Sequence, residues 1–453
     1  MSGHGAARGS DDADTIVAPA TPPGRGALAI VRVSGPECRR VLSSFFRPER
    51  GSAPRHREAT LGQIVDRRGR LIDQAVAIVW QGPRSYTGED LAEVITHGSP
   101  AVVREIVAAA VGAGARRARP GEFTLRAVRA GKLDLARAEA VRDLTEALTA
   151  EQAHVAARQL FGEVSRAITD LGEQVADLLA DVEAGLDFSE DEDLGPPPER
   201  IAGRADAIAR AIRALLCASE TGRRIREGVR VVLAGPPNAG KSSLFNRLVG
   251  EERVIVTPEP GTTRDTIEET VVIGGLPVVL VDAAGIREAS SSAERAGVER
   301  ARTAAAAADL VLELYPLDRP DRPPPAGDPR RLLVGTHADL PCPAPPVPGS
   351  VAVSSVTGAG LDDLRAEIAR RLEAPGDRPI ESVALATDRH REAAARAAAL
   401  LEDLAVRIRE EALPAELAAV ELRQALVALR EILGEISPDD LLGRIFSRFC
   451  IGK

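Results

Sequence analysis

The stretch Gly235-Pro-Pro-Asn-Ala-Gly240-Lys241-Ser242 follows the apolar run Val229–Ala234 and precedes the helix-forming Ser243–Val249. A glycine-rich turn between a buried strand and a helix start lets backbone amides and the helix N-terminus cradle phosphates. It constrains the fold as well as the ligand, because such a turn works only at the carboxyl end of a strand within an α/β sheet. In this reading Asn238, Ala239, Gly240 and Ser243 complete the cradle, Lys241 reaches the β- and γ-phosphates, and Ser242 ligates Mg2+. Further apolar runs at Val278–Val281, Leu310–Leu314 and Leu332–Gly335 alternate with helical stretches. They predict a parallel sheet with helices on both faces.

Four more motifs follow in order. Gly261-Thr262-Thr263-Arg264-Asp265 reads as a first switch, with Thr263 as second Mg2+ ligand, and Asp282-Ala283-Ala284-Gly285 ends a strand as a second switch should. Thr336-His337-Ala338-Asp339 and Ser354-Ser355-Val356 occupy the places of the two guanine loops. A carboxylate at Asp339 accepts two hydrogen bonds from guanine N1 and N2, a donor pair that adenine lacks, so GTP is the expected nucleotide. Thr336 and His337 stand where GTPases usually carry Asn and Lys, and Ala283 where Thr is usual. The expectation is weaker or less selective guanine binding in an intact fold. No glutamine follows the second switch to orient water. Asn238 either braces its loop or ligates a monovalent cation in place of an arginine finger, and the residues alone leave both readings open.

With 453 residues the chain predicts several domains. A net charge of −9 argues against a wholly basic surface for nucleic acid, though not against a local basic patch. At 2% aromatic residues a base-stacking platform is not expected. Four scattered cysteines without a CxxC pair fit free thiols in a reducing cytoplasm. No signal peptide or membrane-spanning apolar run is read, and residues 1–13 read as a polar tail. Only three of the 58 basic residues are lysine, Lys132, Lys241 and Lys453, which singles out the two lying outside the phosphate loop. Strand-like runs at Ala27–Val33, Gln74–Trp80 and Ala92–Thr96, with a helix over Ala101–Val111, predict an α+β region over residues 14–126. The stripe Leu133, Ala136, Ala140, Leu144, Leu148 opens a helical region over 127–225, broken by an acidic loop at Ser189–Pro198. The α/β nucleotide domain spans 226–376, and helices return over 377–453, predicted at Asp388–Ala412 and Glu416–Leu433 with a last one capped by Ser437 and Pro438. The fold class is therefore multidomain: an α+β N-terminal domain, an all-α domain, and an α/β P-loop GTPase domain inserted into it.

Taken together, Asp14-Thr-Ile-Val-Ala, Tyr86-Thr-Gly-Glu-Asp90, Pro120-Gly-Glu-Phe-Thr124, Gly131-Lys-Leu-Asp-Leu-Ala136, the phosphate loop and the terminal Phe449-Cys-Ile-Gly-Lys453 resemble the MnmE (TrmE) family of tRNA-modification GTPases. The resemblance runs from residue 14 to 453. It implies an N-terminal domain that dimerises and binds 5-formyl- or 5,10-methylene-tetrahydrofolate through Arg32, Glu93, Lys132 and Lys453. It further implies K+ held by Asn238, Thr257, Glu259 and Thr262, activation by dimerisation of the nucleotide domains, and Glu294 as the catalytic acid orienting water. Cys450 is family-typical, a candidate for a chemical role, and its neighbours predict partial burial. The implied partners are a second copy of the chain, an MnmG (GidA)-type FAD protein in a heterotetramer, and tRNA; no membrane is expected. The implied reaction adds a carboxymethylaminomethyl group at C5 of the wobble uridine. The alternatives are a ribosome-assembly GTPase of the Era or EngA type, and a folate-binding scaffold with a degenerate nucleotide domain.

Overall fold

The computed structural model describes residues 14–187, 197–252, 267–282, 306, 308–319, 323, 327–342, 345–372, 385, 387–411, 413–436 and 439–453. They form two compact units, residues 14–142 with 429–453, and residues 143–428. These units are cut by packing, and their limits differ from the sequence-based division at 126, 225 and 376.

The first unit is built on β1 (Ile16–Pro19), β2 (Leu28–Ser34), α1 (Cys38–Phe45), β3 (Phe46–Pro48), β4 (Thr60–Val65), β5 (Leu71–Trp80), β6 (Leu91–His97), α2 (Pro100–Gly112), β7 (Arg116–Arg117) and α3 (Glu122–Arg129), and α4 (Leu135–Glu146) begins in it. The sheet order is β3-β4-β5-β6-β2-β1-β7, antiparallel except for the β1–β7 pair. Alternation decides which face is core: Val31, Val33, Ala77, Val79, Ala92 and Val94 are buried against Val41, Phe45 and Ile106 of the two covering helices. The predicted helical stripe is only half a core, since Ala136 and Ala140 are buried but Leu144 is 37% exposed.

The chain's last residues complete this unit. After the helix Asp439–Phe446, the rings of Phe446 and Phe449 pack at 5.0 Å, and a Cβ on Gly121 would lie 2.7 Å from the Phe446 carbonyl. Gly452 sits at φ +98°, where a Cβ would come within 2.0 Å of the Pro19 carbonyl. A side chain here meets backbone in a conformation that L-residues avoid. Gly452→Ala should therefore unseat the tail, and limited proteolysis should cut the variant's C-terminus while leaving the native chain intact. Ser437 and Pro438, the predicted cap of the last helix, lie outside the described residues.

The second unit contains α5 (Ala150–Leu160), α6 (Glu163–Asp187), α7 (Pro198–Glu227), β8 (Val229–Ala234), α8 (Lys241–Glu252), β9 (Ile267–Ile273), β10 (Leu276–Asp282), β11 (Leu310–Pro316), β12 (Arg331–Thr336), β13 (Val351–Ala352), α9 (Leu361–Leu372) and α10 (Asp388–Glu411). Most of α11 (Ala415–Leu433) also belongs to it. The start of α5 is set by a capping box: Gln152 N–H donates to the Thr149 hydroxyl at 3.1 Å, and the Gln152 carbonyl oxygen accepts from Thr149 N–H at 3.2 Å. Arg213 of α7 forks onto Glu402 of α10 at 2.7 and 2.8 Å, tying those two long helices.

The six strands run in the order β13-β12-β11-β8-β10-β9. All pairings are parallel except β9–β10, so the wholly parallel sheet expected from the sequence is corrected to a mixed one. The reason is local: Gly274 at φ +60° and Gly275 at φ +80° form a tight turn that folds β9 back onto β10. Val231, Leu233, Leu280, Leu312 and Leu314 are fully buried at the sheet centre, as continuous apolar strands between two helical layers must be.

Candidate functional site

The phosphate loop leaves the carboxyl end of the central strand β8 and enters α8. Gly235 sits at φ +145° with only 2.4 Å available to a Cβ before the Leu314 carbonyl, so the first loop position admits glycine alone. Asn238 adopts φ 62°, a left-handed conformation that asparagine tolerates better than most residues. Lys241 folds its ammonium onto the carbonyls of Gly235 at 2.9 Å and Pro236 at 2.8 Å. Burial pushes its pKa below the usual lysine value, and the nearby Asp282 carboxylate partly restores it. The Ser242 hydroxyl donates to the Asp282 carboxylate at 2.8 Å, and Asp282 is 2% exposed. A hydroxyl and a buried carboxylate so placed beside the loop form a hard-oxygen set suited to Mg2+. Ser243 is exposed behind them.

The segment expected to be the first guanine loop is held by its own side chains. The Thr336 hydroxyl donates to the Ala239 carbonyl at 2.9 Å and lies 3.3 Å from that of Tyr315, so it braces the phosphate loop from the position where Asn is usual. His337, at φ 61°, pairs through Nδ1 with Asp318 at 2.8 Å, and its Nε2 lies 3.5 Å from where a Gly240 Cβ would stand. The imidazole thus lies against the phosphate loop, where a flat ring can replace an aliphatic stem. Asp339 is exposed and accepts a hydrogen bond from the Ser354 hydroxyl at 2.7 Å. That bond is the main reason its carboxyl sits below the ordinary carboxylate value. Ser354 is buried, and its hydroxyl also accepts from the amides of Val356 at 3.2 Å and Thr357 at 3.1 Å, which shapes the second guanine loop. Ser355 is half-buried and Val356 exposed at its tip. Of the remaining nucleotide-site residues expected from the sequence, Thr257, Glu259, Thr262, Thr263, Ala283, Ala284, Gly285 and Glu294 lie outside the described residues.

A second constellation lies in the N-terminal unit. Arg32 and Glu93 face each other in the β2–β6 register, and the guanidinium meets Glu93 Oε1 at 2.6 and 2.9 Å. It also donates to the Gly452 carbonyl at 3.2 Å and lies 5.5 Å from the ring centroids of both Tyr86 and Phe123. Lys453 is half-buried, and burial, then the Arg32 charge, push its pKa down. The structure therefore brings Arg32, Glu93 and Lys453 together. Lys132 is exposed and donates to the Pro83 carbonyl at 3.0 Å. Cys450 is exposed, and Ile451 is 58% exposed, so the predicted partial burial of the thiol is corrected: of these three residues only Phe449 packs inward.

Tyr86, Phe123 and Gly452 were not singled out from the sequence, although each lies in a segment that carried the resemblance. Phe123 directly follows Glu122, a member of one ion network in this unit. Arg126, only 4% exposed, meets Asp14 at 2.6 Å, Glu89 at 3.1 Å and Glu122 at 3.2 Å, while Arg116 reaches Asp14 and Glu122 at 2.6 Å each. Tyr86 is fixed beside it by a 2.9 Å bond to the Thr124 hydroxyl.

Comparison with known proteins adds the following. A family model described as the MnmE helical domain matches residues 135–450, and one described as the GTP-binding protein TrmE N-terminus matches residues 15–132. Proteins called tRNA modification GTPase MnmE are similar along the whole chain. That of Aquifex aeolicus is 42% identical over 97% of this chain and 100% of its own length. That of Roseiflexus castenholzii is 41% identical over 97% and 99%. That of Thermus thermophilus is 42% identical over the same shares.

Proposed function

Because the chain belongs to the MnmE family of tRNA modification GTPases, we propose that it couples its GTP hydrolysis to alkylation of the wobble uridine of tRNA. The chain is a GTPase. The finer reading is that it works as a homodimer with an MnmG-type FAD protein, and that the pair adds a carboxymethylaminomethyl group at C5. The observation that carries the reading is the compensated guanine loop: Thr336 braces the phosphate loop at Ala239 while Ser354 holds Asp339 in place to accept from a purine. Ser242 and Thr263 would hold Mg2+, which neutralises the β- and γ-phosphate charge when bound. Asn238 and Thr257, with the backbone oxygens of Glu259 and Thr262, would hold K+, and Glu294 would orient the attacking water. Domain movement on hydrolysis, rather than the hydrolysis energy itself, serves the alkylation. The ribosome-assembly alternative gains nothing here, since the described residues after 387 form three helices and a short tail.

Reconstitution tests this reading. With an MnmG-type partner, 5,10-methylene-tetrahydrofolate as one-carbon donor, glycine as the amine, unmodified tRNA and GTP, nucleoside mass spectrometry should detect carboxymethylaminomethyluridine. Its formation at the same rate without this chain, or without GTP, would contradict the proposal.

Arg32, Glu93, Lys132 and Lys453 are proposed to hold the tetrahydrofolate. The half-buried ammonium of Lys453 sits beside Arg32, so a broader guanidinium there crowds an existing one. Lys453→Arg should weaken 5-formyl-tetrahydrofolate binding by roughly tenfold or more, the scale of one lost hydrogen bond to a charged group. The exposed Lys132→Arg should lose less. Calorimetry would show the order, and equal native-like affinities would remove Lys453 from the site.

A further inference from the structure

Charge is divided unevenly along a chain whose net charge is −9. Residues 14–142 with 429–453 carry 25 Lys and Arg against 17 Asp and Glu, a net of +8. Residues 143–428 carry 32 against 48, a net of −16. A polyanion is drawn to the first unit and repelled by the second.

Many of the basic unit's arginines are consumed within it: Arg32 by Glu93, Arg70 by Asp66, and Arg116 and Arg126 by the buried network. A cluster at one end of the sheet differs in that two of its three arginines have no acidic partner among the described residues. His56 bridges to Val79 on β5, the Arg57 amide donates to the Val79 carbonyl at 2.8 Å, and the Gln81 amide donates to His56 Nδ1 at 2.9 Å. The Arg84 amide donates to the Gln81 carbonyl at 3.0 Å. Arg39, in the first turn of α1, reaches Asp90 at 3.4 Å, and that carboxylate also accepts from the Gly82 amide at 2.9 Å. Three separate segments are thereby bound together, with the side chains of Arg39, Arg57 and Arg84 exposed around His56. Arg57 and Arg84 make no ion pair among the described residues. Partial burial, then Arg84, Arg57 and Arg39, push the imidazole pKa below its ordinary value, which keeps the ring neutral between the guanidiniums.

We propose that Arg39, Arg57 and Arg84 form the surface through which the N-terminal unit grips the sugar–phosphate backbone of tRNA. The inference rests on the reading that this chain acts on tRNA. Guanidiniums fork onto phosphate oxygens and position a nucleic acid without reading its bases. A chain with 2% aromatic residues has little means of holding RNA by stacking, so backbone contact is the mode left to it.

The test is fluorescence anisotropy with labelled unmodified tRNA and the full-length chain over a range of KCl concentrations. It compares wild type, Arg57→Glu with Arg84→Glu, and Arg57→Lys with Arg84→Lys. The glutamate pair should bind about tenfold more weakly or worse, with a salt slope shallower by roughly two phosphate contacts. The lysine pair should keep the slope. GTP turnover and folate affinity should be unchanged in both. Unchanged tRNA affinity and slope in the glutamate pair would overturn the inference alone. So would a loss of folate affinity with tRNA binding intact, which would assign the cluster to the anionic end of the folate. Wild type that fails to bind tRNA would overturn both the inference and the reading beneath it.

Discussion

Asp339→Asn should lower GTP affinity by roughly 10²- to 10⁴-fold, the scale of losing two hydrogen bonds to a charged acceptor. Xanthosine triphosphate should bind the variant better than it binds the native chain. A carboxylate can accept from both guanine donors; an asparagine amide instead offers a donor, which matches the second carbonyl of xanthine. The loop should survive, because the asparagine carbonyl can still accept the Ser354 hydroxyl that now donates to Asp339 at 2.7 Å. Fluorescent-nucleotide competition decides the matter. Equal displacement by GTP and ATP from the native chain would show that Thr336 and His337 have cost the loop its selectivity.

Arg126→Met should destabilise the N-terminal unit by about 3–5 kcal/mol, the usual cost of removing one partner from a buried ion pair. Asp14, Glu89 and Glu122 would then face one another with only Arg116 left on two of them. The pH dependence gives the sign. Burial raises the Asp14 and Glu122 carboxyls, and the guanidiniums of Arg116 and Arg126 more than reverse this, so both sit below their ordinary values. Carboxyls depressed on folding contribute stability that is present above their unfolded pKa and lost as pH falls through the folded one. The variant's deficit should therefore be largest near neutrality and should narrow below about pH 4, where the unpaired carboxylates take up protons. Thermal denaturation across pH would show it; a deficit independent of pH would mean that Arg126 acts by packing alone.

The nucleotide fold was legible because one motif fixes a strand, a turn and a helix at once, and β8 and α8 lie where it put them. The antiparallel β9 is announced only by Gly274-Gly275, a hairpin signal after Ile267-Glu-Glu-Thr-Val-Val-Ile; its polar Glu268, Glu269 and Thr270 break the unbroken apolar run by which a buried parallel strand is recognised. Thr336 stands where Asn is usual, from which weaker guanine binding was expected; the hydroxyl's reach to Ala239 is a three-dimensional fact no spacing contains. In the N-terminal unit the sequence offered motifs without a reason for their joint presence. Asp14, Glu89, Glu122 and Arg126 come from separate segments, and only folding shows that they form one network, which holds the Tyr86–Phe123 frame around Arg32. Cys450 was misplaced because its apolar neighbours suggested burial, whereas only Phe449 packs inward and Ile451 is exposed with the thiol.

We propose a guanine-specific switch in which Asn238 and its loop admit a cation to the phosphates. It is tested most directly by steady-state GTP turnover of the purified full-length chain in KCl against NaCl at equal ionic strength, with ATP as the comparison nucleotide. Turnover is expected of GTP only, faster in KCl by roughly tenfold or more if the cation takes an arginine finger's place, with the difference abolished in Asn238→Ala. Equal rates in the two salts, or equal turnover of ATP, would contradict it.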